Sequence, residues 1–286
     1  MFAGGRRGVR LPVIDTHCHL TFPQFEGRVA EELAEAGRHG VRGCITISTT
    51  PMNALECLRL ATSFPNVWSS AGVHPLYADQ GPFDLTPVRT AIAHERCVAW
   101  GEMGLDNHYA EPPRAMQEPV LMQQLALIRE IDAPKKGKAQ PGANKPIVIH
   151  CREAFDDLIP ILREAGIAGE RFVFHCFTAG PVEAKQVLDF GAMISFTGVA
   201  TYKNAKEVME AAVLTPADRL MVETDAPYLS PQPVRGQRPC RPWMVSLTAK
   251  LIADARGQSI EDFERTTDAN AARFFGIDPS IDPGLS

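Results

Sequence analysis

Eight short apolar runs, each separated from the next by a stretch of mostly helical spacing, restrict this chain to very few architectures. In order they are LPVID, VRGCITIS, VWSSAGV, CVAWGE, KPIVIH, RFVFH, AMISFT and RLMVET. They are rich in Val, Ile and Phe and mostly do not alternate with polar residues, the pattern of parallel strands covered by helices. Between them lie FEGRVAEELAEAGRHG, NALECLRLATSF, DLTPVRTAIAHE, EPVLMQQLALIREI, AFDDLIPILREAG, PVEAKQVLDFG and AKEVMEAAVL, several closed by glycine. Eight strand signals with helical connections predict a (β/α)8 TIM barrel, not an open sheet. A barrel takes ~250 residues, so the chain of 286 is read as one domain, 1–286. Residues 1–10 read as a flexible N-terminal extension, and the Pro-, Gly- and Lys-containing stretch at 132–145 as a mobile insertion.

The polar residues that end these runs carry the chemistry. His17, His19, Glu102, His150, His175 and Asp225 each fall at or just past the end of a run. A closed barrel brings such tips to one face, where the catalytic residues of barrel enzymes sit. His17 and His19 alternate along one extended segment and so can grip one ion, and Asp15 can accept a hydrogen bond from a ligand imidazole. His150 and His175 are each, alone, either ligands or satisfied structural histidines; their joint occurrence with the others points to a shared metal site. Glu102, in an apolar barrel mouth, needs a partner or an ion. Asp225 can bind metal and accept a proton from water. His74, after the third run, is either a group facing substrate or a turn residue.

Composition narrows the setting. A formal net charge of −5 argues against a protein that coats nucleic acid through a general basic surface, while leaving a nuclease possible because bound divalent ions supply local positive charge. Seven scattered cysteines make no disulfide framework and fit a reducing cytoplasm. Cys18, Cys151 and Cys176 adjoin candidate ligands and read as packing residues, because neighbours on a strand face opposite ways. No run approaches ~20 apolar residues, so the expectation is a cytoplasmic protein with no membrane association and no obligate protein partner. The loop after the eighth run, APYLSPQPVRGQRPCRPW, is too rich in Pro for a long helix, and SIEDFERTTDANAARFFG reads as a closing helix capped by Ser259 and ended by Gly276.

Taken together, DTHCHL at 15–20, GVHP at 72–75, GEMGLD at 101–106, PIVIHCREA at 146–154, FHCFTAG at 174–180 and ETDAPYL at 223–229 resemble, in order, the TatD family of metal-dependent deoxyribonucleases. The last loop departs from the family pattern, reading RGQRPCRP from 235 to 242. The resemblance implies that His17, His19, Glu102, His150, His175 and Asp225 are the metal ligands. It also implies a 3′–5′ exonuclease acting on single-stranded DNA with water activated by divalent metal.

On that expectation His17, His19 and Asp225 hold one ion, His150 and His175 the other, and Glu102 lies between them. Asp225 and Glu102 are the catalytic candidates. Arg152 and Lys203 are either phosphate ligands or surface charges, and with His74 form the expected substrate contacts. Two ions are expected, with Mg, Mn or Zn all open; histidine-rich donors favour the softer metals. Hydrolysis of an amide, lactone or aminoacyl ester is the alternative, because the same site can polarise a carbonyl. Exposed aromatic groups would favour a polynucleotide, and Tyr109, Phe177, Tyr228 and Trp243 are either those groups or core.

Overall fold

The computed structural model describes residues 13–278; the expected extension at 1–10 lies outside them. Eight parallel strands follow one another in chain order around a single sheet: β1 (Val13–Cys18), β2 (Val41–Thr46), β3 (Val67–Ala71), β4 (Cys97–Asp106), β5 (Ile147–Arg152), β6 (Phe172–Phe174), β7 (Met193–Phe196) and β8 (Leu220–Val222). Beyond the regular ladder, Asp225 N–H donates to His17 O (2.8 Å) and His19 N–H to Ala226 O (2.7 Å), closing the seam between the last strand and the first. The architecture is a (β/α)8 TIM barrel.

The helices are α1 (Val29–Arg38), α2 (Pro51–Ser63), α3 (Thr86–Ile92), α4 (Arg114–Asp132), α5 (Phe155–Glu164), α6 (Pro181–Phe190), α7 (Lys206–Leu214), α8 (Val245–Ala255) and α9 (Ile260–Phe275). Their apolar faces and the outward strand residues form the main core. Each large side chain fully buried there contributes roughly 1.5–3 kcal/mol. Inside the barrel, Ile14, Ile45, Trp68, Val98, Val148, Val173, Met193 and Met221, one from each strand, form an apolar layer. Ala271 and Phe275 of α9 pack against that layer from below. As the sequence predicts, Ser259 caps α9 by accepting from Asp262 N–H, and Gly276 ends it in the left-handed conformation (φ 62°).

Two register irregularities decide what faces the barrel mouth. Asp15 pairs with Cys44 and Cys18 with Thr46, so β1 carries one extra residue across that interval. Trp100 pairs with Ile147 and Met103 with Ile149, giving β4 the same excess around Gly101 and Glu102. Such bulges re-aim side chains. Here they surround His17 and Glu102. Gly101 (φ 106°) and Gly104 (φ 152°) accommodate the second bulge: a Cβ would sit 2.4 Å from Val148 O at the first and 1.8 Å from His150 O at the second.

Residues 133–146 join α4 to β5, and a helix-to-strand connection of this barrel lies at the end opposite the strand tips. Lys145 Nζ donates to the carbonyls of Ile92, His94 and Cys97 (2.6–2.8 Å), and Gln140 Nε2 to those of Glu130 and Ala133 (both 2.7 Å). None of 132–145 lines the cavity at the barrel mouth.

Candidate metal centre

Above the apolar layer the inward positions turn polar. Glu102, His150, His175 and Asp225 converge at the floor of a cavity of about 710 Å³, lined also by His19, His74 and Asp106, and the fully buried His17 stacks on His175 beneath it (3.8 Å between centroids). The chain turns sharply at these tips, with Glu153 (φ 54°), Cys176 (φ 43°) and Asp225 (φ 57°) in the left-handed region just beyond β5, β6 and β8. For residues other than glycine this costs about 1–3 kcal/mol each, and such strain concentrates at functional sites.

Glu102 is the hub. It is 1% exposed, and four imidazoles reach it: His175 Nε2 (2.6 Å), His150 Nδ1 (2.9 Å) and His74 Nε2 (3.2 Å) at Oε1, and His17 Nε2 (3.3 Å) at Oε2. On the Oε2 side, His17 Nε2 lies 3.4 Å from His19 Nε2 and 3.6 Å from Asp225 Oδ1, while His19 Nε2 is 3.3 Å from that same oxygen. A tetrahedral ion ~2.1 Å from each of four donors spaces them roughly 3.4 Å apart, so this nitrogen and oxygen set fits a divalent ion.

Outer partners fix which nitrogen faces inward. Ile47 O can only accept, so the His19 Nδ1 it meets at 3.2 Å carries the proton and Nε2 presents a lone pair. Carboxylates do the same for two others: Glu223 Oε1 holds His175 Nδ1 (3.2 Å) and Asp106 Oδ2 holds His150 Nε2 (2.8 Å). His74 differs. Leu76 N–H donates to its Nδ1 (3.0 Å), so in the neutral ring the proton sits on Nε2, aimed at Glu102. His74 is therefore built to donate a hydrogen bond.

Charge follows the same wiring. Burial pushes the Glu102 carboxyl up, but His175, His74 and His17 outweigh it and hold it well below the usual range. Burial disfavours a charged His175, yet Glu102 and Glu223 raise it well above an ordinary imidazole, and Asp106 and Glu102 raise His150 against the same opposition. Burial lowers His17, with His175 adding to the effect, and it lowers His74 despite Glu102. Asp225, pushed up by burial, is held down by its hydrogen bond to His19 and by His17, and stays ionised.

Sequence reasoning misses Asp106 and Glu223. Both carry a signal: Asp106 lies four residues after Glu102 and Glu223 two before Asp225, even spacings that share a strand face. Glu223 is 1% exposed and also accepts from Cys176 N–H (2.6 Å), Ser195 Oγ (2.6 Å) and Thr16 Oγ1 (3.2 Å). Asp15, expected to partner a ligand imidazole, instead accepts from the Thr224 N–H (2.9 Å) and hydroxyl (2.6 Å). The bulge in β1 separates its direction from that of His17, leaving it beside Cys18 and Cys44. Burial pushes its carboxyl up to about 8.

Arg152 lines the cavity, its guanidinium 5.2 Å from the Tyr109 ring centroid, whereas Lys203 is exposed and outside the lining. Tyr109 and Tyr228, both 49% exposed, line the mouth with Phe22 and Tyr77. Phe177 is core, packed on Phe155 and Phe196, and Trp243 stacks on His39 away from the cavity. Cys18 and Cys151 are buried, while Cys176 is half-buried and lines the cavity with Cys151; all seven cysteines are free thiols.

A TIM barrel with histidine and carboxylate donors gathered at its strand tips belongs to the class of metal-dependent hydrolases. The family model described as TatD related DNase matches residues 14–276. Over 271 residues, 94% of this chain and 97% of the relative, the sequence is 36% identical to the uncharacterized metal-dependent hydrolase YcfH of Escherichia coli (strain K12). It is 32% identical over 272 residues, 93% of this chain and 98% of the relative, to the 3′-5′ ssDNA/RNA exonuclease TatD of Klebsiella pneumoniae (strain 342). The crystal structure of YJJV, a TatD homologue from Escherichia coli K12, superposes with a TM-score of 0.81 at 25% identity, covering 93% of this chain and 98% of that one. The chain belongs to the TatD family.

Proposed function

We propose that this TatD-family hydrolase cleaves phosphodiester bonds of single-stranded DNA as a 3′–5′ exonuclease. The observation that carries the reading is the pairing of a donor-lined floor with exposed aromatic faces, Tyr109 and Tyr228, at the mouth of the same cavity. Unstacked bases gain ~1–3 kcal/mol each on such faces, whatever their sequence. The name of the Klebsiella relative supports a polynucleotide substrate and leaves RNA as a second one.

Two divalent ions, one at His17, His19 and Asp225 and one at His150 and His175, with Glu102 between them, would polarise the scissile phosphate and acidify the attacking water. Asp225 takes the proton from that water: it is ionised, 15% exposed and at the cavity floor. His74 donates its Nε2 proton to Glu102, fixing the orientation of that carboxylate. Arg152, steadied over Tyr109, binds a phosphate oxygen at the mouth. The nitrogen-rich donors favour zinc or manganese over magnesium. Free thiols support a cytoplasmic setting, and no helix among the described residues is long and apolar enough to cross a membrane.

The test is a hydrolysis screen across single-stranded DNA, duplex DNA, RNA and small amide, lactone and aminoacyl esters, with magnesium, manganese or zinc. We expect release of nucleotides from the 3′ end of single-stranded DNA, lost in Asp225→Asn. Cleavage confined to the carbonyl panel would overturn the phosphodiester assignment.

A further inference from the structure

Beside the catalytic cavity lies a second depression, of about 360 Å³, lined by Arg28, Glu32, Gln237, Arg238, Pro239, Arg241 and Met244. It borrows both of its walls from loops that also build the cavity. The loop after β8 supplies Tyr228 and Leu229 to the cavity and Gln237, Arg238, Pro239 and Arg241 to the groove. Its two limbs are tied together, since Cys240 N–H donates to Pro227 O (2.9 Å) and the Ser230 hydroxyl to Gln237 O (2.6 Å). The loop after β1 supplies Phe22 to the cavity and Arg28 to the groove, and Phe22 meets Tyr228 edge-on with centroids 6.3 Å apart. Groove and cavity are therefore built on the same two loops, joined at the Phe22–Tyr228 contact on the cavity side.

Its charge runs against that of the chain, which is −5 overall. Arg28 and Arg241 share the buried Glu32, and Arg28 also reaches Glu31. Arg238 is exposed and donates to the carbonyls of Arg235 and Gln237, and the neighbouring Arg235 lies over the Tyr202 ring, 3.9 Å from its centroid. Four guanidiniums thus stand near two carboxylates, and among the described residues Arg235 and Arg238 make no ion pair with a carboxylate. Carbonyl bonds and an aromatic face orient a guanidinium without neutralising it, so each remains available to an anion.

We infer that this groove is a binding track for the phosphate backbone of a single strand whose terminal nucleotides occupy the catalytic cavity. The assignment rests on the polynucleotide reading above, and it adds a length dependence that the catalytic residues alone do not give. A substrate confined to the cavity misses the groove; a longer strand reaches both.

The experiment compares wild type, Arg238→Glu, Arg28→Glu and Arg238→Lys, with metal present. One arm measures binding of a nuclease-resistant phosphorothioate strand of about twelve nucleotides by anisotropy across a salt series. A second arm measures hydrolysis of the unmodified strand, and a third that of bis(p-nitrophenyl) phosphate. For each charge reversal we expect affinity for the strand to fall about tenfold and the salt slope to drop by about 0.7 for every phosphate that is no longer neutralised. KM for the strand should rise in parallel, the small diester should be hydrolysed at the wild-type rate, and Arg238→Lys should bind nearly as wild type. Equal strand affinity and salt slope in wild type and both reversals would overturn the track while leaving the phosphodiesterase reading intact. Salt-sensitive, reversal-sensitive binding in a protein that cleaves no phosphodiester would do the opposite.

Discussion

Protons and metal ions should compete for the centre, and the competition should be steep. In the metal-free protein His150 stands between Asp106 and Glu102, and His175 between Glu223 and Glu102, with both imidazoles held charged above their ordinary range. The rings keep the protons that face the outer carboxylates on loading, but the inward proton on each ring must leave before its nitrogen can ligate. While both rings are protonated, affinity should rise as much as about 100-fold per pH unit, tenfold for each proton released, flattening once both raised pKa values are passed. Chelator competition at about pH 6, 7 and 8, joined to titration calorimetry in buffers of different ionisation heat, reads both the slope and the proton count. Constant affinity with no buffer-dependent heat would refute the reasoning. The same shifts carry a stability sign. His175, with its pKa raised, stabilises the metal-free fold below the ordinary imidazole range, and that contribution is lost as pH rises through its folded value. Glu102, with its pKa depressed, contributes above the ordinary carboxylate range and loses its contribution on acidification.

Asp106→Asn should weaken metal binding by about 10–100-fold, read by the same chelator competition, because it removes the carboxylate that orients His150. Glu223→Gln should cost about 3–5 kcal/mol in denaturant unfolding of the metal-free protein, since it strips the buried counter-charge from His175 and turns an amide group toward donors. Gly104→Ala should cost at least about 2 kcal/mol, because its Cβ meets the His150 carbonyl at 1.8 Å and neither backbone can yield freely. Metal affinity in that variant should fall with stability, as the displaced carbonyl belongs to a site residue.

The barrel is legible because each strand announces itself as a Val-, Ile- or Phe-rich run, and the tip residues are legible because polarity changes abruptly at His17, Glu102, His150, His175 and Asp225. What escapes follows from local geometry. Simple alternation puts Asp15 and His17 on one face, and one extra residue in β1 breaks that alternation. Asp106 is hidden because the apolar run of β4 stops at Glu102, whereas the strand continues through Met103, Gly104 and Leu105 to residue 106. The helix Val245–Ala255 has no clear sequence signal: it emerges from a proline-rich loop, and its buried face includes Ser246, Thr248, Ala249 and Ala253, which blur an apolar stripe. Lys203 offers only its charge as a signal, and charge does not say which way an exposed loop points. The arginines at 235, 238 and 241 are visible as a cluster, but only the fold sets them beside Arg28 and the cavity mouth.

The most direct test is anomalous diffraction from crystals loaded with manganese or zinc. We predict a peak within bonding distance of His17 Nε2, His19 Nε2, Asp225 and Glu102, and a second beside His150 Nδ1 and His175 Nε2. Density elsewhere on the barrel, with these donors still bonded only to one another at saturating metal, would contradict it.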